Sequence, residues 1–290
     1  MMEEWKILKD GSGNRLAIND TYAVAAEPLC ITVWKDGELY FRQQVTFPQP
    51  GFPRLSGNKI YWGPGMLDLE KRVYVPVVKA LAVLKTEMVQ LGTPSDTYRP
   101  VEYAWAPDGS AMAVSLQWSG KPGPPPAKVL LLGAGGELEA RLWEDSDVPV
   151  TALCVSEKWV IAGTRQLRIF EKHHPAPKML AAAVPAVRIE VTKDERRMMR
   201  LQYDHIALWD LSEPTLLHRW DGNWLDAAIT PDGDRIVAAD SNGKLFSINT
   251  TSPFHITPRS APGPVFSLAL SERYLLAFFM DGAVLRLTTL

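Results

Sequence analysis

The chain has 290 residues, of which 46% are hydrophobic and 22% charged, so it is long and apolar enough to bury a full core. Lys and Arg number 31 against 33 Asp and Glu, which gives a formal net charge of −2. Binding to a polyanion draws on an excess of basic side chains, and this chain has none. Nucleic acid is therefore not expected as a partner.

The first ten residues, MMEEWKILKD, carry acidic side chains where a secretory signal peptide carries basic ones, and they contain no long apolar core. No uncharged apolar run reaches the roughly 18 residues that a membrane-spanning helix needs. The two cysteines, Cys30 and Cys154, are too few for a disulfide framework or a four-cysteine zinc site. We therefore expect a cytoplasmic protein with reduced, buried thiols, and without membrane insertion, metal or cofactor.

Turn-forming residues are spread along the whole chain, with 20 glycines and 23 prolines. The clearest internal similarity joins APDGSAMAVSLQW, which begins at Ala106, to TPDGDRIVAADSN, which begins at Thr230. In each case Pro-Asp-Gly stands between two strand-like segments, and Asp-Gly favours the positive φ angles of a tight hairpin. The two segments are 124 residues apart, which corresponds to three repeats of about 41 residues.

Further repeats fit between and beside this pair. Each repeat has an equivalent turn position, which follows an alternating apolar segment and precedes two more strand-like segments. These positions are Ala106, Ser156, Thr192, Thr230 and Ser271. Four of the five repeats then contain a fourth, weaker strand. Four consecutive antiparallel strands that recur about every 40 residues are typical of the blades of a β-propeller.

The repeats resemble those of WD-repeat propellers, in a divergent form. The Pro-Asp-Gly turns and the Trp209-Asp210 dipeptide at the end of a third strand carry the resemblance, whereas the Gly-His signature is absent. The resemblance implies a rigid propeller that serves as a platform for other proteins. Some divergent bacterial propellers of this kind are accessory subunits in multi-protein systems.

The remaining segments complete the count of blades. The last repeat stops after three strands, and an apolar-alternating segment at 4–9 can supply its missing outer strand. The predicted blades are 14–46, 52–91, 100–145, 149–182, 186–221, 223–259, and 263–290 together with 4–9. We therefore predict an all-β fold, a single domain over 1–290 that forms a seven-bladed β-propeller of four-stranded antiparallel blades, closed by the N-terminal strand. Within the second blade, the stretch from Val77 to Leu91 has no Gly or Pro and allows a short helix.

Charged residues fall at the positions of the first strands that would line the central channel. Counting back two and four residues from each turn position places Glu102, Arg188, Glu190 and Asp226 there. Carboxylates close together can shift one another's pKa, act as acid and base, or hold a cation. They can equally pair with the arginine and with water as structural filling, and we favour this structural interpretation.

Aromatic and arginine side chains collect in the loops of one predicted face, the face with the loops that precede first strands and join second to third strands. Trp, Tyr and Arg are enriched at binding hot spots. The predicted partner-binding residues are Trp62, Tyr98, Arg99, Trp118, Arg165, Tyr203, Trp224 and Arg259, with Phe47 and Phe52 beside them. Trp118 is the strongest of these candidates, because it immediately precedes a Pro- and Gly-rich segment at 119–128 that is too long for a tight turn.

Three functional hypotheses follow. The first is a non-catalytic protein–protein interaction scaffold or accessory subunit of a larger complex, which binds through the aromatic and arginine-rich face. The alternative is a propeller enzyme or small-ligand binder that uses the channel carboxylates. A third is a subunit that is stable only inside an obligate complex, for which an extended exposed apolar patch would be the sign.

Overall fold

The computed structural model describes residues 5–8, 13–45, 51–89, 98–118, 127–145, 150–164, 167–172, 174–180, 185–251 and 254–288. These residues form β-strands arranged in seven four-stranded sheets, and one α-helix. In six of the sheets the strands follow one another in chain order, as in the blades of a propeller. The predicted all-β class and the four-stranded antiparallel blades are confirmed.

Strand β1 (Trp5–Leu8) precedes the first blade. Blade 1 comprises β2 (Arg15–Ile18), β3 (Tyr22–Glu27), β4 (Cys30–Lys35) and β5 (Glu38–Gln44). Blade 2 comprises β6 (Arg54–Ser56), β7 (Lys59–Trp62), β8 (Gly65–Asp68) and β9 (Val73–Pro76), and it is followed by the helix α1 (Val78–Val89). Blade 3 comprises β10 (Tyr98–Trp105), β11 (Ala111–Trp118), β12 (Ala127–Gly133) and β13 (Leu138–Asp145).

The remaining strands form four blades. Blade 4 comprises β14 (Ala152–Val155), β15 (Trp159–Gly163), β16 (Leu167–Glu171) and β17 (His174–Leu180). Blade 5 comprises β18 (Arg188–Val191), β19 (Arg197–Leu201), β20 (His205–Asp210) and β21 (Thr215–Asp221). Blade 6 comprises β22 (Trp224–Ile229), β23 (Arg235–Asp240), β24 (Leu245–Asn249) and β25 (Ile256–Arg259), and blade 7 contains β26 (Val265–Leu270), β27 (Tyr274–Phe279) and β28 (Val284–Thr288).

Strand β1 completes blade 7, in the order β1-β28-β27-β26. Trp5 is opposite Leu287 in the antiparallel pair of β1 with β28. The indole of Trp5 also meets the ring of Phe279 edge-on, with the ring centroids 5.5 Å apart, and donates to the carbonyl of Ser260. The N-terminal strand therefore supplies the fourth strand of the last blade, as predicted.

The chain divides into two compact units, Met1–Gly57 with Glu190–Leu290, and Asn58–Ile189. In the first unit, buried apolar clusters lie between blades 6 and 7 and between blades 7 and 1. In the second unit they lie between blades 2 and 3 and between blades 3 and 4. Middle strands such as β12 are buried along their whole length, because neighbouring sheets cover both of their faces. The assignment of the whole chain to one domain stays a prediction.

The helix α1 confirms the prediction for the stretch after Val77. Its inner face places Ala80 and Leu84 in the cluster between blades 2 and 3. The backbone of Gly136, at φ +84°, lies so close to this face that an added Cβ would be 2.3 Å from the amide nitrogen of Ala80. No helix in the described part of the chain is long and apolar enough to cross a membrane.

The hairpin turns that carry the repeat signal have one geometry in blades 5 and 6. The hydroxyl of Thr230 donates to Asp232 and accepts the N–H of Arg235, and Thr192 makes the same two bonds in blade 5. The third turn residue has a positive φ in both, +78° at Gly233 and +57° at Glu195. A side-chain hydroxyl, a carboxylate and the backbone thus close each turn.

Candidate functional site: the loop face of blades 5 to 7

The loops at one end of blades 5, 6 and 7 are tied to one another by backbone hydrogen bonds. The ties, each of 2.8–3.1 Å, are Trp224 N to Tyr203 O, Ser241 N to Asn223 O, Val265 N to Gly243 O, and Met280 N to Pro264 O. We call this surface the loop face, and its segments are 202–204, 222–223, 241–244, 260–264 and 280–283. Because each loop is bonded to the next, the surface is ordered before any partner arrives.

Tyr203 is the most exposed aromatic side chain on the loop face, at 66%. The N–H of Gly222 donates to the carbonyl of Asp204, and Nδ1 of His205 lies 2.9 Å from the Asp204 carboxylate. Burial lowers the pKa of His205, against a smaller opposing effect of Asp204, so the imidazole is neutral at pH 7. The loop is therefore held on both sides while its tyrosine points to solvent.

A β-bulge recurs in the first strands of blades 3, 6 and 7. The bulged residues, Val101, Leu225 and Phe266, each stand five residues before the turn position of their blade. Phe266 is 39% exposed and rests edge-on against Phe278. A bulge redirects a side chain that regular pleating would point elsewhere. Blade 7 thus has two exposed apolar side chains near this end, Phe266 two residues after the loop segment 260–264 and Met280, which is 53% exposed, in the segment 280–283.

Sequence reasoning missed both Phe266 and Met280. Simple alternation assigns Phe266 to the packing between blades, and the bulge reverses that assignment. The sequence did contain a signal for this bulge, since a bulky residue stands five positions before the turn in blades 3, 6 and 7. Met280 was not predicted because it is neither aromatic nor an arginine, the residue types on which the predicted binding face was based.

Two of the predicted partner-binding tryptophans are buried, which corrects their assignment. The side chain of Trp62 has no exposed surface. Trp224 is buried as well, with its ring 5.7 Å from that of Phe246 and its Nε1 donating to the carbonyl of Trp220. Each ring turns inward from the end of a strand, so neither side chain is available for direct contact with a partner.

The other predicted face residues remain predictions. Tyr98 and Trp118 are paired at the ends of β10 and β11, but their side chains, like that of Arg99, are outside the described part of the structure. Arg165, Phe47 and residues 119–126 also lie outside the described residues. Arg259 ends β25 and is half-buried, and Phe52 is exposed.

The predicted channel carboxylates of blades 5 and 6 bind the backbone of the following blade. Asp226, which is buried, accepts hydrogen bonds from the backbone N–H of Leu268 (2.8 Å) and the hydroxyl of Ser267 (3.0 Å), both in β26. Glu190 accepts the N–H of Ile229 in β22 at 2.9 Å. Both carboxylates satisfy donors on first strands, so their bonds tie consecutive blades together.

The two other predicted channel residues differ in burial, since Arg188 is buried and Glu102 is half-buried. Among the described residues, no group of three or more His, Cys, Asp or Glu side chains is placed to hold a metal ion. Both cysteines are free thiols. Cys30 is buried and its sulfur accepts a hydrogen bond from Arg42, whereas Cys154 is only half-buried, in contrast to the expectation for both.

Comparisons with known proteins identify the fold and no family. No protein-family model matches the chain, and no curated protein matches it. Its structure is similar to the β-propeller domain of Cps50 (Swd1) from Myceliophteria thermophila, with a TM-score of 0.69, 12% sequence identity and 98% of each chain covered. The chain thus has the fold of a seven-bladed, WD-repeat-like β-propeller, which confirms the resemblance at the level of the fold. Because 1357 chains of solved structures are similar to it, the fold does not select a function.

Proposed function

We propose that this propeller is a non-catalytic interaction scaffold, an accessory subunit that binds a protein partner through the loop face of blades 5 to 7. The observation that carries the proposal is the set of backbone-bonded loops that present Tyr203 and Met280 to solvent, with the exposed Phe266 two residues beyond the loop segment 260–264. Binding to a surface that is already ordered costs little conformational entropy. Exposed tyrosine, phenylalanine and methionine side chains supply the apolar anchors that protein interfaces use.

The surroundings of the exposed side chains also fit a protein partner. Asp204, Asp221 and Arg219 are exposed near Tyr203, so both signs of charge lie beside this tyrosine. A mixed polar rim around an apolar centre is the common anatomy of a specific protein interface. The bonds of Asp226 and Glu190 to backbone N–H groups favour a structural role over acid–base chemistry at these two carboxylates.

The test is affinity purification of the full chain from its native cell, followed by mass spectrometry and by binding measurements with the purified partner. We expect Tyr203→Ala/Met280→Ser to weaken binding about 30-fold or more, because removal of hot-spot side chains costs about 2 kcal/mol or more. Both side chains are in solvent-exposed loops, so the variant should keep the circular dichroism and thermal midpoint of the wild type.

The matched control is Leu216→Ser/Leu217→Ser. These leucines are 48% and 42% exposed on β21, so the control removes exposed apolar surface of similar extent elsewhere. It should retain the partner. If every captured protein binds the Tyr203→Ala/Met280→Ser variant as tightly as it binds the wild type, the loop face is not the binding surface.

A further inference from the structure

The segment made of β9 and α1 contains more exposed large hydrophobic residues than any other stretch of nine residues in the described chain. Of the 15 large hydrophobic residues that are exposed in the described ranges, Val73, Val75, Val78 and Leu81 lie within nine consecutive positions. Their exposed fractions are 49%, 48%, 71% and 42%. Elsewhere in those ranges no nine-residue stretch holds more than two. Exposed apolar residues gathered in one segment point to a binding surface, whereas isolated exposed residues do not.

The strand β9 and the helix α1 hold these side chains outward. In β9, Tyr74 turns inward and its hydroxyl donates to the carbonyl of Trp62, so the alternation of the strand points Val73 and Val75 away from the sheet. Only Val77 separates β9 from α1, and its N–H donates to the carbonyl of Pro64. The junction is therefore fixed to blade 2.

The inner face of α1 packs against the protein, which leaves the outer face for a partner. Ala80, Leu84 and Glu87 are buried, and the Glu87 carboxylate pairs with Arg141 of β13. Val78, Leu81 and Lys85 stand at positions i, i+3 and i+7, so they share the opposite, exposed side of the helix. A strand and a helix that are one residue apart thus both expose apolar side chains.

The charge of this segment indicates the chemistry of its partner. Residues 71–85 include Lys71, Arg72, Lys79 and Lys85 and no acidic residue, although the whole chain has a net charge of −2. All four cations are exposed; Lys71 pairs with Asp68, and Lys79 and Lys85 stand in α1 next to its exposed apolar side chains. A complementary partner has apolar side chains on one face and carboxylates beside them.

We propose that β9 and α1 form a second docking surface, which binds an acidic amphipathic segment of a partner protein. The apolar side chains insert between Val75, Val78 and Leu81, and the flanking carboxylates pair with Lys79 and Lys85. A protein segment fits better than a nucleic acid or a lipid surface. Valine and leucine at the centre of the patch do not recognise phosphates, and the larger apolar face of the helix is already buried in the protein.

The first experiment places a photo-crosslinking amino acid, p-benzoylphenylalanine, at position 81 or at position 75 of the full chain in its native cell. Position 217 on β21 is the control, and products shared with it are discounted. We expect a protein cross-link whose mapped segment has a net negative charge and apolar residues spaced by three and four. The absence of a specific cross-link at both positions, a segment that is not acidic, or cross-links to RNA or lipid would overturn the proposal.

The second experiment measures the binding of a synthetic peptide of the mapped segment by fluorescence anisotropy. Lys79→Glu/Lys85→Glu should weaken binding at least tenfold, and a peptide with its facing acids replaced by lysine should restore it on that variant. Lys158→Glu/Lys193→Glu, a charge reversal of equal size at other exposed sites, should change affinity less than twofold. Equal affinity for the wild type and the Lys79→Glu/Lys85→Glu variant would contradict the proposed pairing.

This surface is independent of the loop face, and the two proposals can fail separately. Tyr203→Ala/Met280→Ser should leave the cross-link at position 81 intact. Lys79→Glu/Lys85→Glu should leave intact the binding of any partner that depends on Tyr203.

Discussion

The Pro-Asp-Gly turns of blade 3 and blade 6 have the same three residues and are supported in different ways. In blade 6, Thr230 bonds to Asp232 and to the backbone, and Arg197 of blade 5 donates to the carbonyl of Gly233 at 2.8 Å. Blade 3 has Ala106 at the position of Thr230 and therefore has no hydroxyl there. Its Gly109 instead lies against the ring of Tyr61 in blade 2.

The difference shows that an identical turn sequence does not imply identical energetics. One turn is closed by a polar network within the hairpin and by an arginine from its neighbour. The other depends on close packing against a buried aromatic ring. Equivalent substitutions in the two turns should therefore lower the free energy of unfolding by different amounts and be compensated by different second substitutions.

The largest loss of stability is expected for Gly109→Ala. The residue has a φ of +74°, and a Cβ at this position would be 2.1 Å from the ring of Tyr61, which is buried and has little room to move. Strain and overpacking together should lower the free energy of unfolding by about 3 kcal/mol. Urea denaturation measures the loss, and a midpoint equal to that of the wild type would show that the ring moves freely.

Gly233→Ala should cost less, about 2 kcal/mol, because the nearest atom to its Cβ is the methyl carbon of Thr192, at 2.7 Å. Thr192→Ser removes this methyl group and keeps the hydroxyl that bonds to Asp194. The double variant should therefore recover part of the loss, leaving the strain of the positive φ. Strictly additive effects in a double-mutant cycle would contradict the predicted contact.

Thr230→Val tests the polar support of blade 6 and should cost about 1 kcal/mol at pH 7, since it leaves the N–H of Arg235 without its acceptor. The Thr230 hydroxyl is also the main reason that the pKa of Asp232 lies below its ordinary value. The resulting stabilisation is present above about pH 4 and is lost as the pH falls through the lower pKa of the folded state.

The cost of Thr230→Val should therefore shrink between pH 5 and pH 3. Urea midpoints measured over that range test the prediction. Asp232→Asn serves as the control, because in that background Thr230→Val should cost the same at every pH. If the cost of Thr230→Val in the wild-type background did not vary with pH, the Thr230 hydroxyl would not be what lowers the pKa of Asp232.

Repeat spacing and turn chemistry predicted most of the fold. The positions equivalent to Ala106 and Thr230 located the first strands, and the unfinished last repeat pointed to the N-terminal strand as its completion. These predictions were correct because the Pro-Asp-Gly turn and the alternation of a strand depend on residues that are close in sequence. The helix α1 was expected only from a stretch without Gly or Pro, and the sequence did not reveal that its outer face exposes Val78 and Leu81 beside lysines.

The candidate site was harder to predict, because side-chain direction at strand ends depends on tertiary contacts. Tyr203 and Trp224 are joined by a backbone hydrogen bond, yet only the tyrosine is exposed. Trp224 packs against Gly222, where an added Cβ would be only 3.1 Å from the indole ring. The direction of Phe266 depends on a bulge that alternation alone does not reveal.

The pairing of β1 with β28 has a consequence for the order in which the protein is made. Trp5 pairs with Leu287, so the outermost strand of blade 7 leaves the ribosome some 280 residues before its partner. At about 5–20 residues per second, β1 waits for roughly 15 to 60 seconds with an unpaired edge. Blade 7 can be completed only after β28 has been made, and until then both β1 and the unfinished blade have strand edges without their partner.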